Sequence, residues 1–179
     1  MQPRGPLMIE HRLIERMLFH FRAELERISI TGKADPVFVD TAVDFFRTYG
    51  DRTHHGKEEL ILFRELARKQ MSDTDRITME ELIGEHATGR VVTAELIDAN
   101  RRYRDGDDSA LKVITEKLQF LADFYPKHIE KEDKVFFPSM MKYLPESEQK
   151  SMLEEFWEFD RNMIHEKYRL VVESLNKKV

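Results

Sequence analysis

Two stretches of this sequence repeat a pairing that chemistry can use, His128-Ile-Glu-Lys-Glu132 and, earlier, His55-Gly-Lys-Glu-Glu59. In each a histidine precedes a glutamate by four residues, a spacing that stacks both side chains on one face of an α-helix about one turn apart. An imidazole and a carboxylate so placed can reach a common metal ion. A Glu-His pair stands ahead of each stretch, Glu10-His11 before the first and Glu85-His86 before the second. From lone to paired histidine the interval is 44 residues in the first half (55 − 11) and 42 in the second (128 − 86). The pattern therefore occurs twice at nearly one period, and it nominates His11, His55, Glu59, His86, His128 and Glu132 as metal ligands.

Composition narrows the chemistry. The chain has 179 residues and no cysteine, which removes disulfides, thiolate ligands and cysteine nucleophiles. Imidazole and carboxylate remain, a donor set that suits iron, manganese or zinc. There is no Ser/His/Asp arrangement, phosphate-binding loop or dinucleotide fingerprint to favour another enzyme class. The net charge of −5 is spread over charges of both signs without a basic block, so neither nucleic acid nor an anionic membrane is an expected partner. No apolar window approaches the length of a membrane span, and the expectation is a single soluble, cytoplasmic domain over residues 1–179.

The elements that would position these residues are helical. Apolar residues recur three and four apart, strong helix formers abound, and no alternating β-branched run appears. The expected helices run from about Leu7 to Ser29, from Asp35-Pro36 (cap and first turn) to about Gln70, from about Thr78 to Arg104, and from about Ser109 to Tyr143. Pro126 is expected to bend the fourth. A fifth helix starts at Pro145-Glu146 and reaches about Asn176. Four long helices on short loops imply an all-α, antiparallel up-down-up-down four-helix bundle over about residues 7–143, with the additional C-terminal helix packed outside it.

Rotation by roughly 100° per residue sorts the seven histidines. His11 shares the apolar stripe of Leu7, Ile14, Leu18, Phe21, Leu25 and Ile28, whereas His20 falls opposite. His86 sits within the stripe of Met79, Leu82, Ile83, Ala94 and Ile97. His128 and Glu132 lie at the centre of the stripe of Ile114, Leu118, Leu121, Tyr125, Val135 and Phe136, and Asp133 turns away toward another helix or solvent. In the second helix His55 lies at the edge of its stripe (Phe38, Ala42, Phe45, Tyr49, Leu60, Phe63), Glu59 nearer the centre, and His54 on the far side. His165 flanks the face of Leu153, Phe156, Trp157, Ile164 and Val171 on the fifth helix. Four inward histidines and two inward carboxylates make an expensive inert core, because a buried charge or unpaired imidazole costs on the order of several kcal/mol without a partner. A metal supplies that partner, and two clusters from two halves favour two ions, each with two imidazoles and both glutamates bridging. Such a site leaves coordination positions open for a small ligand. The bland alternative is a set of stacked His-Glu hydrogen bonds inside a bundle.

At these residues the chain resembles the hemerythrin-like family, the HHE cation-binding domain. That family's order of a lone histidine, His-x-x-x-Glu, a third-helix histidine and a second His-x-x-x-Glu corresponds to His11, His55 with Glu59, His86, and His128 with Glu132. His54-His-Gly-Lys-Glu-Glu59 and His128-Ile-Glu-Lys-Glu-Asp-Lys-Val-Phe-Phe-Pro138 are also similar to family members. The resemblance implies a four-helix bundle around a non-haem di-iron centre that binds, senses or reacts with dioxygen, nitric oxide or peroxide, and it supplies iron as the metal. It also admits iron storage or delivery to an accepting partner, or repair of di-iron centres; a zinc or manganese site is a further alternative. Oxygen-carrying members have a second third-helix histidine four residues after the first, where this chain has Arg90. A guanidinium cannot ligate a metal, so Arg90 is expected either to pair with a bridging glutamate or an anion, or to snorkel outward. Tyr49 and Tyr125 are candidates to shield the centre or hydrogen-bond a ligand, with aromatic packing the plainer role. Glu10 and Glu85 are candidate acceptors for imidazole N–H groups, with solvent exposure the plainer expectation.

Overall fold

The computed structural model describes residues 2–176, with side-chain surroundings through residue 169; Val171 of the expected fifth-helix face lies outside the latter. Helix α1 (Arg4–Thr31) ends where Gly32 adopts φ 67° and its N–H reaches the Ile28 carbonyl, a left-handed stop that only glycine takes without strain. Asp35 then caps α2 by accepting from the amides of Val37 and Phe38, with Pro36 in the first turn. Helix α2 covers residues 36–66. It is α-helical over Pro36–Phe45 and Arg64–Leu66 and π-helical over Phe46–His55 and Glu58–Phe63. Helix α3 (Asp73–Arg104) is capped by Ser72, and Arg101, Arg102 and Arg104 complement the negative end of its dipole. Helix α4 covers residues 110–143: Ala110–Lys131 is α-helix with Pro126 inside it, Glu132–Phe136 is π-helical, and a short α-turn and 3₁₀ turn finish it. Helix α5 is Glu146–Asn176. No strand occurs among the described residues.

Neighbouring helices close a ring: α1 lies on α4, α4 on α3, α3 on α2, and α2 on α1, while α5 covers the π-helical stretches of α2. The apolar interior is split in two. One cluster holds Ile14, Phe46, Val92, Tyr125 and Ile129; the other holds Leu7, Ile61, Leu82, Phe136 and Phe137. On every helix of the ring the gap between the clusters falls at the suspected ligands: His11 between Leu7 and Ile14, His54 and Glu58 between Phe46 and Ile61, His86 between Leu82 and Val92, and Glu132 between Ile129 and Phe136.

The buried faces differ in places from those that 3.6-residue periodicity implies. The face of α3 runs through His86, Gly89, Val92, Thr93 and Leu96, leaving Ile83 and Ile97 more than a third exposed. Leu60 on α2 and Val135 on α4 face solvent because both sit in π-helical turns. A π-helix bonds i to i+5 rather than i+4, so each residue advances the chain through less than the roughly 100° of an α-helix and the register of faces shifts.

Candidate metal centre

The shifted register decides which side chains α2 contributes. His54, expected on the far face, is 1% exposed and its ring packs edge-on against His11 at 4.5 Å. His55 is equally buried and stacks on His86 at 3.9 Å. Both members of the His-His pair thus face inward, which two adjacent residues of a regular α-helix do poorly. The same shift replaces Glu59 by Glu58. Glu58 is fully buried among the imidazoles, while Glu59 stays partly exposed and accepts a hydrogen bond at 2.7 Å from His86 Nδ1. The inward carboxylate of α2 is therefore Glu58, and Glu59 holds an imidazole from outside.

Two groups of donor atoms result, each with its atoms within 4.8 Å of one another: His55, His86 and His128 in one, and His11, His54, Glu58 and Glu132 in the other. Of the six expected ligands the structure brings together His11, His55, His86, His128 and Glu132, and it adds His54 and Glu58. The glutamates span the two groups. Glu58 points Oε1 at His54 (3.5 Å) and Oε2 at His86 (3.4 Å). Glu132 points Oε2 at His11 (3.1 Å) and Oε1 at His128 (3.3 Å) and His86 (3.6 Å).

Around this core stands a shell of carboxylates, each serving a histidine of another helix. Asp133 pairs with His11 Nδ1 at 2.7 Å, Glu10 with His54 Nδ1 at 2.9 Å, Glu59 with His86 Nδ1, and Glu85 with His128 Nδ1 at 2.7 Å. Glu10 and Glu85 thus serve histidines distant in sequence rather than His11 and His86 beside them. Four imidazoles are thereby fixed with Nδ1 outward and Nε2 toward the centre, which leaves their Nε2 lone pairs available to a metal. Cations hold the shell in turn: Arg12 on Asp133, Lys131 on Glu85, and Arg90 on both Glu59 and Asp51 at 2.6 Å. Lys57, a lysine with no solvent exposure, joins Glu10 to Asp160 of α5. Beside it α5 lies so close that a Cβ at Gly56 would meet Phe159 at 2.8 Å. His20 and His165 are exposed, and Tyr49 stacks on Phe45.

Whether these residues fit a cation is answered by atoms left without partners. Apart from Asn100 Oδ1, the fully buried side-chain atoms lacking a hydrogen bond among the described residues are Nε2 of His11, His54, His86 and His128, Nδ1 of His55, and both oxygens of Glu58 and Glu132. Orphaned buried polar atoms are rare in folded proteins, and here they converge on one place. Charge tells the same story. Burial lowers His54 to about 4 and, helped by neighbouring imidazoles, holds His55 well below its ordinary value, so both keep free lone pairs. Burial and the adjacent Glu132 push Glu58 well up. Burial also opposes charge on His11, but Asp133 and Glu132 override it and raise His11 to about 9; Glu132 and Glu59 likewise raise His86. In the metal-free protein a proton thus sits where a cation would bind.

Two outcomes test this geometry. Glu58→Gln removes most of the bound metal, measured as metal per chain, whereas Glu59→Gln keeps it and weakens affinity by about 10- to 100-fold, as loss of an outer hydrogen-bond partner does. Metal binding at pH 7 releases protons from groups held protonated by their surroundings, Glu58 and His11 foremost, so affinity rises from pH 6 toward pH 8. Calorimetric titration in buffers of different ionisation enthalpy reads that release directly.

An uncharacterized protein of Mycobacterium bovis is 22% identical over 151 residues, an alignment covering 84% of this chain and 58% of the relative. Uncharacterized proteins from two Mycobacterium tuberculosis strains match to the same extent. The chain thus spans less than two thirds of these relatives' length. No helix among the described residues is long and apolar enough to cross a membrane. The family model for the hemerythrin HHE cation binding domain matches residues 5–140, three quarters of the chain and all of the histidine and glutamate cluster, and this protein belongs to that family.

Proposed function

We propose that this chain is a non-haem di-iron protein, an up-down four-helix bundle whose centre binds a small diatomic ligand or peroxide. The observation that carries the reading is the placement of Glu58 and Glu132, each with one oxygen toward either group of imidazoles. Two bridging carboxylates are what a pair of ions a few ångströms apart needs, and a single ion would leave half of these oxygens unpaired. His55, His86 and His128 would hold one ion, and His11 and His54 the other. Bound iron would supply redox equivalents and an open position for the ligand.

The chain's own residues supply everything else. The outer carboxylates fix each imidazole before metal arrives, so little ordering remains to oppose binding. Phe137 stacks on His11, Phe63 on His86 and Phe124 on His128, at 5.7 Å, 6.0 Å and 6.1 Å, and these rings exclude water from the metal-facing atoms. The second reading is an iron-handling protein that delivers its metal or repairs other di-iron centres. Full burial of every donor and its closure by outer ion pairs favour retention over delivery. Arg90 stands where oxygen carriers of the family have a histidine, and His54 and His55 together restore a five-imidazole set from a different helix.

Protein purified without added metal is expected to contain two irons per chain and to change its ultraviolet-visible spectrum when the reduced form meets air or nitric oxide. Two zinc ions per chain, or iron lost to a chelator within minutes, would replace this reading with the zinc or the delivery alternative.

A further inference from the structure

Between α2 and α3 a cleft of about 430 Å³ leads from solvent to the imidazole group of His55. Its rim carries Ile97 and Arg90, and its floor is made by Phe46, His55, Thr93 and Tyr125, all at most 5% exposed. The Tyr125 hydroxyl is without a hydrogen-bond partner among the described residues although the side chain is only 4% exposed. That oxygen is not among the fully buried ones, so it opens on the cleft, and the packing keeps it in place. A Cβ at position 89 would stand 2.6 Å from that oxygen, so Gly89 leaves the space in which the hydroxyl lies. The Tyr125 ring is itself pinned, 4.8 Å from Phe46 and 6.2 Å from the parallel ring of His55. The hydroxyl is thus held at the cleft floor beside an imidazole of the centre, with nothing of the protein to bond.

The charge at the entrance narrows what enters. Arg90 is shared between Asp51 and Glu59, so the guanidinium at the rim is matched by carboxylates. The floor consists of a phenol, a hydroxyl, an imidazole and apolar surface. The fixed charges, Arg47 among them, stand at the entrance, and the uncharged floor suits a small uncharged molecule that accepts a hydrogen bond.

We propose that this cleft is the route by which a small uncharged ligand reaches the centre, and that the Tyr125 hydroxyl donates the hydrogen bond that retains it there. The inference rests on the di-iron reading and names the approach and the retaining group. The test uses the full-length, iron(II)-loaded protein with nitric oxide as the probe. Tyr125→Phe releases nitric oxide about five- to tenfold faster, the loss of one modest hydrogen bond, with association unchanged. The N–O stretch of bound nitric oxide shifts in that variant and loses its sensitivity to deuterium oxide. Ile97→Trp narrows the rim and slows association about tenfold while leaving the N–O stretch as it was. Both variants keep the iron content and the ligand-free spectrum of the parent. Unchanged rate constants and an unchanged stretch in both, with nitric oxide still bound, would overturn the cleft and leave the di-iron reading standing; failure of the parent protein to bind nitric oxide at all would overturn both.

Discussion

The constraint on which this fold depends is the fully buried glutamate pair. Glu58 and Glu132 lie side by side at the centre of the helix ring, without solvent and without a hydrogen bond for any of their four oxygens. Two carboxylates cannot both ionise in such a place unassisted, and the metal-free protein answers by keeping Glu58 protonated while the imidazoles around Glu132 keep it charged. A polar layer of this kind divides what would otherwise be one apolar core into two, and a cation of matching charge turns it from a liability into a crosslink between four helices.

The surroundings are organised for that exchange. Each outer carboxylate holds an imidazole belonging to a different helix, and each is held in turn by a cation: Asp133 by Arg12, Glu10 by Lys57, Glu59 by Arg90, Glu85 by Lys131. Imidazole orientation is therefore set by inter-helix bonds, and the packing of the ring and the aim of the ligands are one property. Helix α5 belongs to the same arrangement although it lies beyond the family match. Its Asp160 reaches the buried Lys57, and Phe159 presses on α2 at Gly56, between the two π-helical stretches.

Much of the helical order was legible in the sequence, because capping residues act locally: Asp35-Pro36 sits where the second helix was read to start, whereas the third helix, capped by Ser72, begins at Asp73, ahead of the Thr78 expected. The doubled Glu-His and His-x-x-x-Glu pattern also named the four helices whose donor atoms the structure brings together. What periodicity missed is the choice between adjacent residues in His54-His55 and Glu58-Glu59. That choice belongs to the π-helical turns, whose i to i+5 bonding rotates the face of α2 and admits both histidines. The two glycines within or beside these turns, Gly50 and Gly56, were the available signal of a helix under local distortion. The outer shell was unreadable for another reason: Glu10 with His54 and Glu85 with His128 are pairings across helices, which spacing within one helix does not encode.

The central claim is that seven side chains from four helices enclose two ions. A crystal structure of the metal-loaded protein, with anomalous differences measured at the iron edge, tests it most directly. The account predicts two peaks, one among His55, His86 and His128 and one between His11 and His54, with Glu58 and Glu132 reaching both. A single peak, or one ligated by Glu59 in place of Glu58, would contradict it.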